Sequence, residues 1–292
     1  MKIKDAIGIL RPINDIMGSL TVIIGILVTR QGIGIERIII NIVLGVLTYF
    51  FIAGSGMVIN DIYDIEIDKI NRPERPIPSG AITLLQAKYL FIGVFILGIT
   101  FSIIHSIIFN LQFVNVIVAI IFGFMGWVYA KWGKKSGFFG NIIVSISFSI
   151  GLIYGAILNS STIPIYIYFF FLNSFFALLS REIIKGCEDI EGDKELGVNT
   201  LAIKIGLSKT SYISMVCAFI SILFFVLAAF TELINRLAFS ISMIFGIVVV
   251  LYAALLMPKK NLEKNDFSKI SLLLKIAMFL GLIAILLASI NF

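Results

Sequence analysis

Apolar residues run along this chain in long unbroken blocks, not in alternating or one-face patterns. Nine blocks approach the roughly 20 residues that a helix needs to cross a bilayer. They are 12–29, 37–59, 83–105, 111–130, 138–158, 163–180, 209–230, 237–257 and 271–291. A helix that is apolar on every side is stable in lipid or deep in a large core. The pattern predicts an all-α polytopic membrane protein with nine transmembrane helices. Gly54 and Gly56, inside the second block, fit this reading because membrane helices tolerate glycine. The longest polar intervals, 60–82 and 181–208, are too short to hold cores of their own. Residues 1–292 are therefore expected to act as one domain. A helix, acidic segment, helix sequence occurs at 37–80 and again at 163–200, an echo of the internal repeats common in membrane proteins.

Composition agrees with the pattern. Hydrophobic residues make up 59% and charged residues 14%, against about 45–50% and about 25% in soluble domains. Lys2, Lys4 and Arg11 precede the first block without a small-residue cleavage pattern, so that block is expected to be a retained helix. Cys187 and Cys217 are too few for a disulfide framework or a zinc site. Their expected role, like that of the lone His105, is structural.

Charge adds orientation. Of the 23 Lys and Arg residues, all but Arg30, Arg37 and Arg236 fall at the N-terminus or around the intervals after the second, fourth, sixth and eighth blocks. By the positive-inside rule that side is cytoplasmic. The N-terminus is expected in the cytoplasm and the C-terminus on the far side. Topology thus accounts for the net charge of +6, and a nucleic-acid partner is not indicated.

The acids collect on the same side. Asn60, Asp64 and Asp68 are spaced i, i+4, i+8 and would share one face of a helix continuing from the second span. Asp189 and Asp193 repeat the i, i+4 step after the sixth. Like charges four apart destabilise a bare helix, so a cation between them is implied. A solvated acidic face is the plainer alternative, but it has to be invoked twice on one membrane face. Oxygen ligands without His or Cys suit Mg²⁺, which takes one or two carboxylates together with water and substrate phosphates. Basic residues alternate with these acids: Arg72 and Arg75 after the first cluster, Arg181 and Lys185 before the second, and Lys131, Lys134 and Lys135 after Tyr129. Carboxylates with several cations suit a metal-bound polyphosphate. A cation transporter is the alternative of another class, but it calls for acids deep within spans, whereas these lie at span ends. Pro73, Pro76, Pro78 and Gly80 give the interval after the first cluster a turn-rich shape that serves either as a lid or as a connector.

The run N-D-x-x-D-x-x-x-D at 60–68, followed by Asn71-Arg72-Pro73 and Arg75-Pro76-Ile77-Pro78-Ser79-Gly80, resembles the first signature of the UbiA-type intramembrane prenyltransferases. Asp189-Ile190-Glu191-Gly192-Asp193, with Gly197, Thr200 and Leu201 beyond it, resembles the second. Arg11-Pro12 with Asn14, Tyr129 with Lys134, and Gly140-Asn141 are smaller agreements. The resemblance spans nearly the whole chain. It implies nine helices around a central cavity open to the cytoplasmic side. It also implies two Mg²⁺ ions bridging the diphosphate of an isoprenyl donor, which ionises toward an allylic cation and is captured by an acceptor. On this resemblance Asn60, Asp64 and Asp68 hold one metal and Asp189 and Asp193 the other. Asp64, Asp68, Asp189 and Asp193 are then the catalytic set. Arg72, Tyr129, Lys134 and Lys185 contact phosphate oxygens, Asn14 and Tyr154 line the pocket, and Asp61 supports the ligands.

The run Arg181-Glu182-Ile183-Ile184-Lys185-Gly186-Cys187-Glu188-Asp189 is most similar to the archaeal ether-lipid branch of the family. That branch joins a geranylgeranyl group to the sn-2 hydroxyl of geranylgeranylglyceryl phosphate. Its acceptor is a membrane lipid precursor with its own phosphate, for which Arg75, Lys131, Lys135 and Arg181 are the surplus cations. An aromatic or quinone-precursor acceptor is the alternative within the family.

Overall fold

The structure, a computed structural model, describes residues 2–290 except 134–135, 196 and 260, with side chains for all of these but Ile13, Asn14, Met17, Ile67, Ile70 and Asn71. The described residues form helices and connectors with no strand. The helices are α1 (Ile3–Ile9), α2 (Pro12–Val28), α3 (Ile35–Tyr63), α4 (Ile65–Asn71), α5 (Leu84–Phe109), α6 (Val114–Val128) with a π-helical extension at Tyr129–Gly133, α7 (Phe138–Asn159), α8 (Ile165–Glu188), α9 (Ile190–Glu195), α10 (Leu201–Ile205), α11 (Leu207–Ala228), α12 (Arg236–Leu256) and α13 (Lys264–Leu287).

Among the described residues, 8 helices are long and apolar enough to cross a membrane: α3, α5, α6 with its extension, α7, α8, α11, α12 and α13. The first expected span, 12–29, is α2. It has 17 residues, and its apolar part is Gly18–Val28. Two helices run past the apolar blocks that announced them. The second continues to Tyr63 and the sixth to Glu188. Lys, Glu, Arg and Ile all sustain helix once nucleated, so the helix outlasts the hydrophobic signal.

The bundle is inverted relative to a soluble protein. Large apolar side chains face outward, such as Ile117 and Phe245, which are 55% and 64% exposed. Small and polar ones lie inside, including Ser55, Ser145, Ser149 and Ser180. Lipid gives no hydrophobic drive between helices, so close packing and interhelical hydrogen bonds hold them instead. The tightest crossing joins α2 to α7. A Cβ on Gly25 would lie 2.3 Å from the Leu152 carbonyl oxygen, and one on Gly155 would lie 2.2 Å from that of Val22.

At one end of this crossing a buried polar network ties four helices. Asn41 Nδ2 donates to Asn159 Oδ1 at 2.8 Å, Asn159 Nδ2 donates to the Ile26 carbonyl at 2.8 Å, and His105 Nε2 lies 2.8 Å from Asn41 Oδ1. Arg37 closes the network over the Phe109 ring. His105 is structural, as expected. Cys187 and Cys217 are both buried in apolar clusters. The opposite end carries the acids.

Candidate active site

Both acidic segments are built the same way. Helix α3 stops at Tyr63, Asp64 adopts φ −88°, ψ 1°, and α4 starts at Ile65. Helix α8 stops at Glu188, Asp189 adopts φ −97°, ψ 12°, and α9 starts at Ile190. The hydrogen-bond ladder crosses each one-residue break. Asp64 N–H donates to the Asn60 carbonyl at 2.9 Å, and Asp68 N–H to that of Asp64 at 2.8 Å. Likewise Asp189 N–H donates to the Lys185 carbonyl at 3.0 Å, and Asp193 N–H to that of Asp189 at 2.9 Å. The i, i+4 stripe read from the sequence therefore survives, although the continuous helix it assumed is divided at the central aspartate.

The first cluster is deeply set. Asp61, Asp64 and Asp68 are 3%, 3% and 4% exposed. Asn60 Nδ2 donates to Asp64 Oδ2 at 2.8 Å, while the buried Asn60 Oδ1 has no hydrogen-bond partner. A buried carbonyl oxygen left unmatched beside a carboxylate fits a cation ligand. Buried carboxylates also need compensating charge. Arg11 forms an ion pair with Asp61, and Arg75 Nη1 reaches Asp68 Oδ2 at 2.5 Å and Asp61 Oδ1 at 3.4 Å. Arg75 sits on the 72–80 segment, which is fastened down: Ile77 and Ile82 are buried with Ile9, Leu10, Val58 and Ala87.

The second cluster is more open. Asp189 and Lys185 are exposed and Asp193 is half-buried. Arg181 Nη1 lies 2.7 Å from Glu182 Oε1. Tyr129, in the π-helical extension of α6, lies within reach of the charges of Glu182, Asp64 and Arg11. The turn after α6 supplies a second tie. Gly137 has φ +63°, and a Cβ there would meet the Asn199 carbonyl oxygen at 2.2 Å. That glycine lets the turn lie directly on the segment following α9.

The structure thus brings Asn60 beside Asp64 and Arg75 beside Asp68, with Tyr129 near Asp64 and Glu182. Arg72 is exposed at the end of α4. Lys131 is engaged elsewhere, its ammonium 4.9 Å from the Trp127 ring and 4.4 Å from the Trp132 ring. Tyr154 is a core residue of α7, packed with Val22, Ile26 and Leu158, with its hydroxyl beside Thr48 and Asn115. The Asn14 side chain, Lys134 and Lys135 lie outside the described residues. Among the described residues no three Asp, Glu, His or Cys side chains already form a metal-holding group.

Two residues escaped the sequence reading. Arg11 counted toward topology and, with Pro12 and Asn14, toward the resemblance, but was given no partner, yet it pairs with Asp61 across 50 positions. It caps α2 at φ +51°, a strained conformation for a residue with a side chain, and the ion pair holds it there. Asp15, one turn further along, is 2% exposed with Oδ2 lacking a hydrogen-bond partner. Its signal was visible as a lone acid inside an apolar block.

Comparison with known proteins completes the description. The profile of the UbiA prenyltransferase family matches residues 19–288. A digeranylgeranylglyceryl phosphate synthase of Saccharolobus solfataricus is 36% identical over 298 residues, covering 100% of this chain and 99% of its own. The protein of that name from Methanocaldococcus jannaschii is 33% identical, covering 99% and 98%. A solved structure concerned with digeranylgeranylglyceryl phosphate synthase in membranes superposes with a TM-score of 0.82 at 31% identity, covering 99% of both chains. A UbiA homologue from Archaeoglobus fulgidus, bound to GPP and Mg²⁺, shares the fold with a TM-score of 0.69 at 18% identity, covering 96% and 99%.

Proposed function

Because the chain belongs to the UbiA prenyltransferase family and is a multi-pass membrane prenyltransferase, we propose that it transfers a geranylgeranyl group from geranylgeranyl diphosphate to the sn-2 hydroxyl of geranylgeranylglyceryl phosphate. The product is digeranylgeranylglyceryl phosphate, a precursor of archaeal ether lipids. The acceptor assignment is supported by relatives of that name that match essentially the whole chain. The observation that carries the reaction type is the cluster of Asn60 with the buried Asp64 and Asp68, in which Asn60 Oδ1 has no hydrogen-bond partner and Arg75 supplies a cation.

In this reading Asn60, Asp64 and Asp68 hold one Mg²⁺, and Asp189 and Asp193 hold a second. Bound Mg²⁺ supplies Lewis-acid stabilisation of the departing diphosphate. The chain's own cations do the rest. Arg75 and Lys185, with Lys134, neutralise oxygens the metals leave free, and Tyr129 donates its phenolic proton to one of them. The donor's C1–O bond breaks with its electron pair on the diphosphate. A lone pair of the acceptor oxygen then forms the ether bond, and the hydroxyl proton is released. The apolar bundle keeps water from the cation. Nine spans with α2 as the first, a single domain, and a cavity facing the cytoplasm complete the proposal. It is supported by the basic residues crowding the acidic end, against only Arg30, Arg37 and Arg236 at the other.

A panel assay tests it. Purified protein is given geranylgeranyl diphosphate, Mg²⁺ and, separately, geranylgeranylglyceryl phosphate or aromatic acids. Product from the glyceryl phosphate acceptor is expected. Product from an aromatic acceptor alone would overturn the assignment.

A further inference from the structure

One acid of the second cluster has no part in the site described above. Glu188 closes α8, directly before the break at Asp189. It stands one turn after Ile184, which is fully buried, so the two side chains leave the helix on the same face. Lys185 and Asp189 lie on the exposed side. On the inner side Ile184 and Cys187 pack with Met257, Phe267, Ile270 and Leu274, and Glu188 meets the start of α13. There Ser268 Oγ donates to Glu188 Oε1 at 2.6 Å, across 80 positions of sequence. A hydroxyl donating to a carboxylate at that length is a charge-assisted hydrogen bond.

Ser268 is a firm anchor. Phe267 and Ile270, on the same turn, are 1% and 0% exposed, and the reciprocal capping box of Glu263 and Asp266 locks the first turn of α13. The acidic segment beyond Glu188 is held more lightly. Helix α9 buries none of its described residues, and Asp189 is exposed. The first cluster has no equivalent device. Tyr63, the residue before its break, is 44% exposed, and that cluster is fixed through Asp61 by Arg11 and Arg75. Consecutive Cα atoms are about 3.8 Å apart across a planar peptide. A shift of Glu188 is therefore passed directly to Asp189.

We infer that Glu188 is a positioning residue: held by Ser268, it fixes the last turn of α8 and so sets the place and angle at which Asp189 offers its carboxylate to a metal. The inference rests on the reading above, in which Asp189 and Asp193 hold one Mg²⁺ beside the diphosphate. The task needs an acceptor oxygen at position 188, not a charge at the metal. Without the hydrogen bond the end of α8 gains freedom that metal binding has to remove. Affinity for the metal then falls, as it does when the groups that orient metal ligands are lost, while the chemistry at saturating metal persists.

The test measures prenyl transfer against Mg²⁺ concentration, with thermal unfolding followed alongside. The proteins are the unmodified chain, Ser268→Ala, Glu188→Ala, the double variant, Ser268→Thr and Glu188→Gln. Ser268→Ala and Glu188→Ala are each expected to raise the half-saturating Mg²⁺ concentration by about tenfold, with kcat recovered at saturating Mg²⁺. The double variant should be no worse than either single one, because both remove the same interaction. Ser268→Thr keeps the donor and Glu188→Gln keeps an acceptor, so both should stay near the unmodified protein. Lower thermal stability with an unmoved Mg²⁺ dependence in both alanine variants would overturn the inference. So would a loss in Glu188→Gln equal to that in Glu188→Ala, or additive losses in the double variant. Full transfer by the unmodified protein without a divalent ion would instead contradict the metal-dependent reading beneath it.

Discussion

Asp61 shows how single residues build the site. It is buried, neighbours the proposed metal ligands, and accepts from arginines that arrive from two separate segments. Removing one partner of a buried ion pair leaves the other uncompensated. Asp61→Asn is therefore expected to release Arg11, to leave Arg75 held by Asp68 alone, and to lower both thermal stability and turnover. Arg75→Lys keeps the charge but loses the guanidinium whose Nη1 reaches both Asp61 and Asp68. It should retain more activity than Arg75→Met, as read from kcat/KM with the geranylgeranyl donor. Asp64→Asn and Asp189→Asn each remove a proposed metal ligand and are expected to reduce turnover by about 10²-fold or more without loss of folded protein. The carboxylates of both clusters were legible because their spacing of four is a local property. The Arg11–Asp61 pair was not, because nothing in the sequence brings position 11 beside position 61.

At the scale of helices, the sequence revealed the spans better than their ends. Hydropathy marks where lipid begins and ends, whereas the helix stops where its hydrogen-bond ladder does. Hence α8 runs on to Glu188, and hence the break at each central aspartate went unread. The tight α2–α7 crossing was also hidden. Gly25, Gly151 and Gly155 look alike in sequence to Gly8 or Gly192, around which a Cβ would meet nothing within 4 Å. Gly155→Leu should force α2 and α7 apart and lower the thermal unfolding temperature in detergent sharply, while Gly192→Ala should leave it within a degree or two. Asn159 donates to both the Ile26 carbonyl and Thr29 Oγ1 at 2.8 Å. Interhelical hydrogen bonds in membranes are worth about 0.6 kcal/mol on average, so Asn159→Leu is expected to destabilise the bundle by about 1–2 kcal/mol while leaving KM for the donor unchanged.

For the whole molecule, the account requires two helix ends some 125 positions apart to serve one diphosphate. The alternating helix directions place the ends of α3, α6 and α8 together. The most direct measurement is a structure of the protein with a non-ionising geranylgeranyl thiodiphosphate and Mn²⁺ in place of Mg²⁺, with the metals located by anomalous diffraction. The account predicts a diphosphate between Asp64 and Asp189, with a metal at each cluster touching its oxygens. A diphosphate held by one cluster alone, with the other facing a separate space, would contradict it.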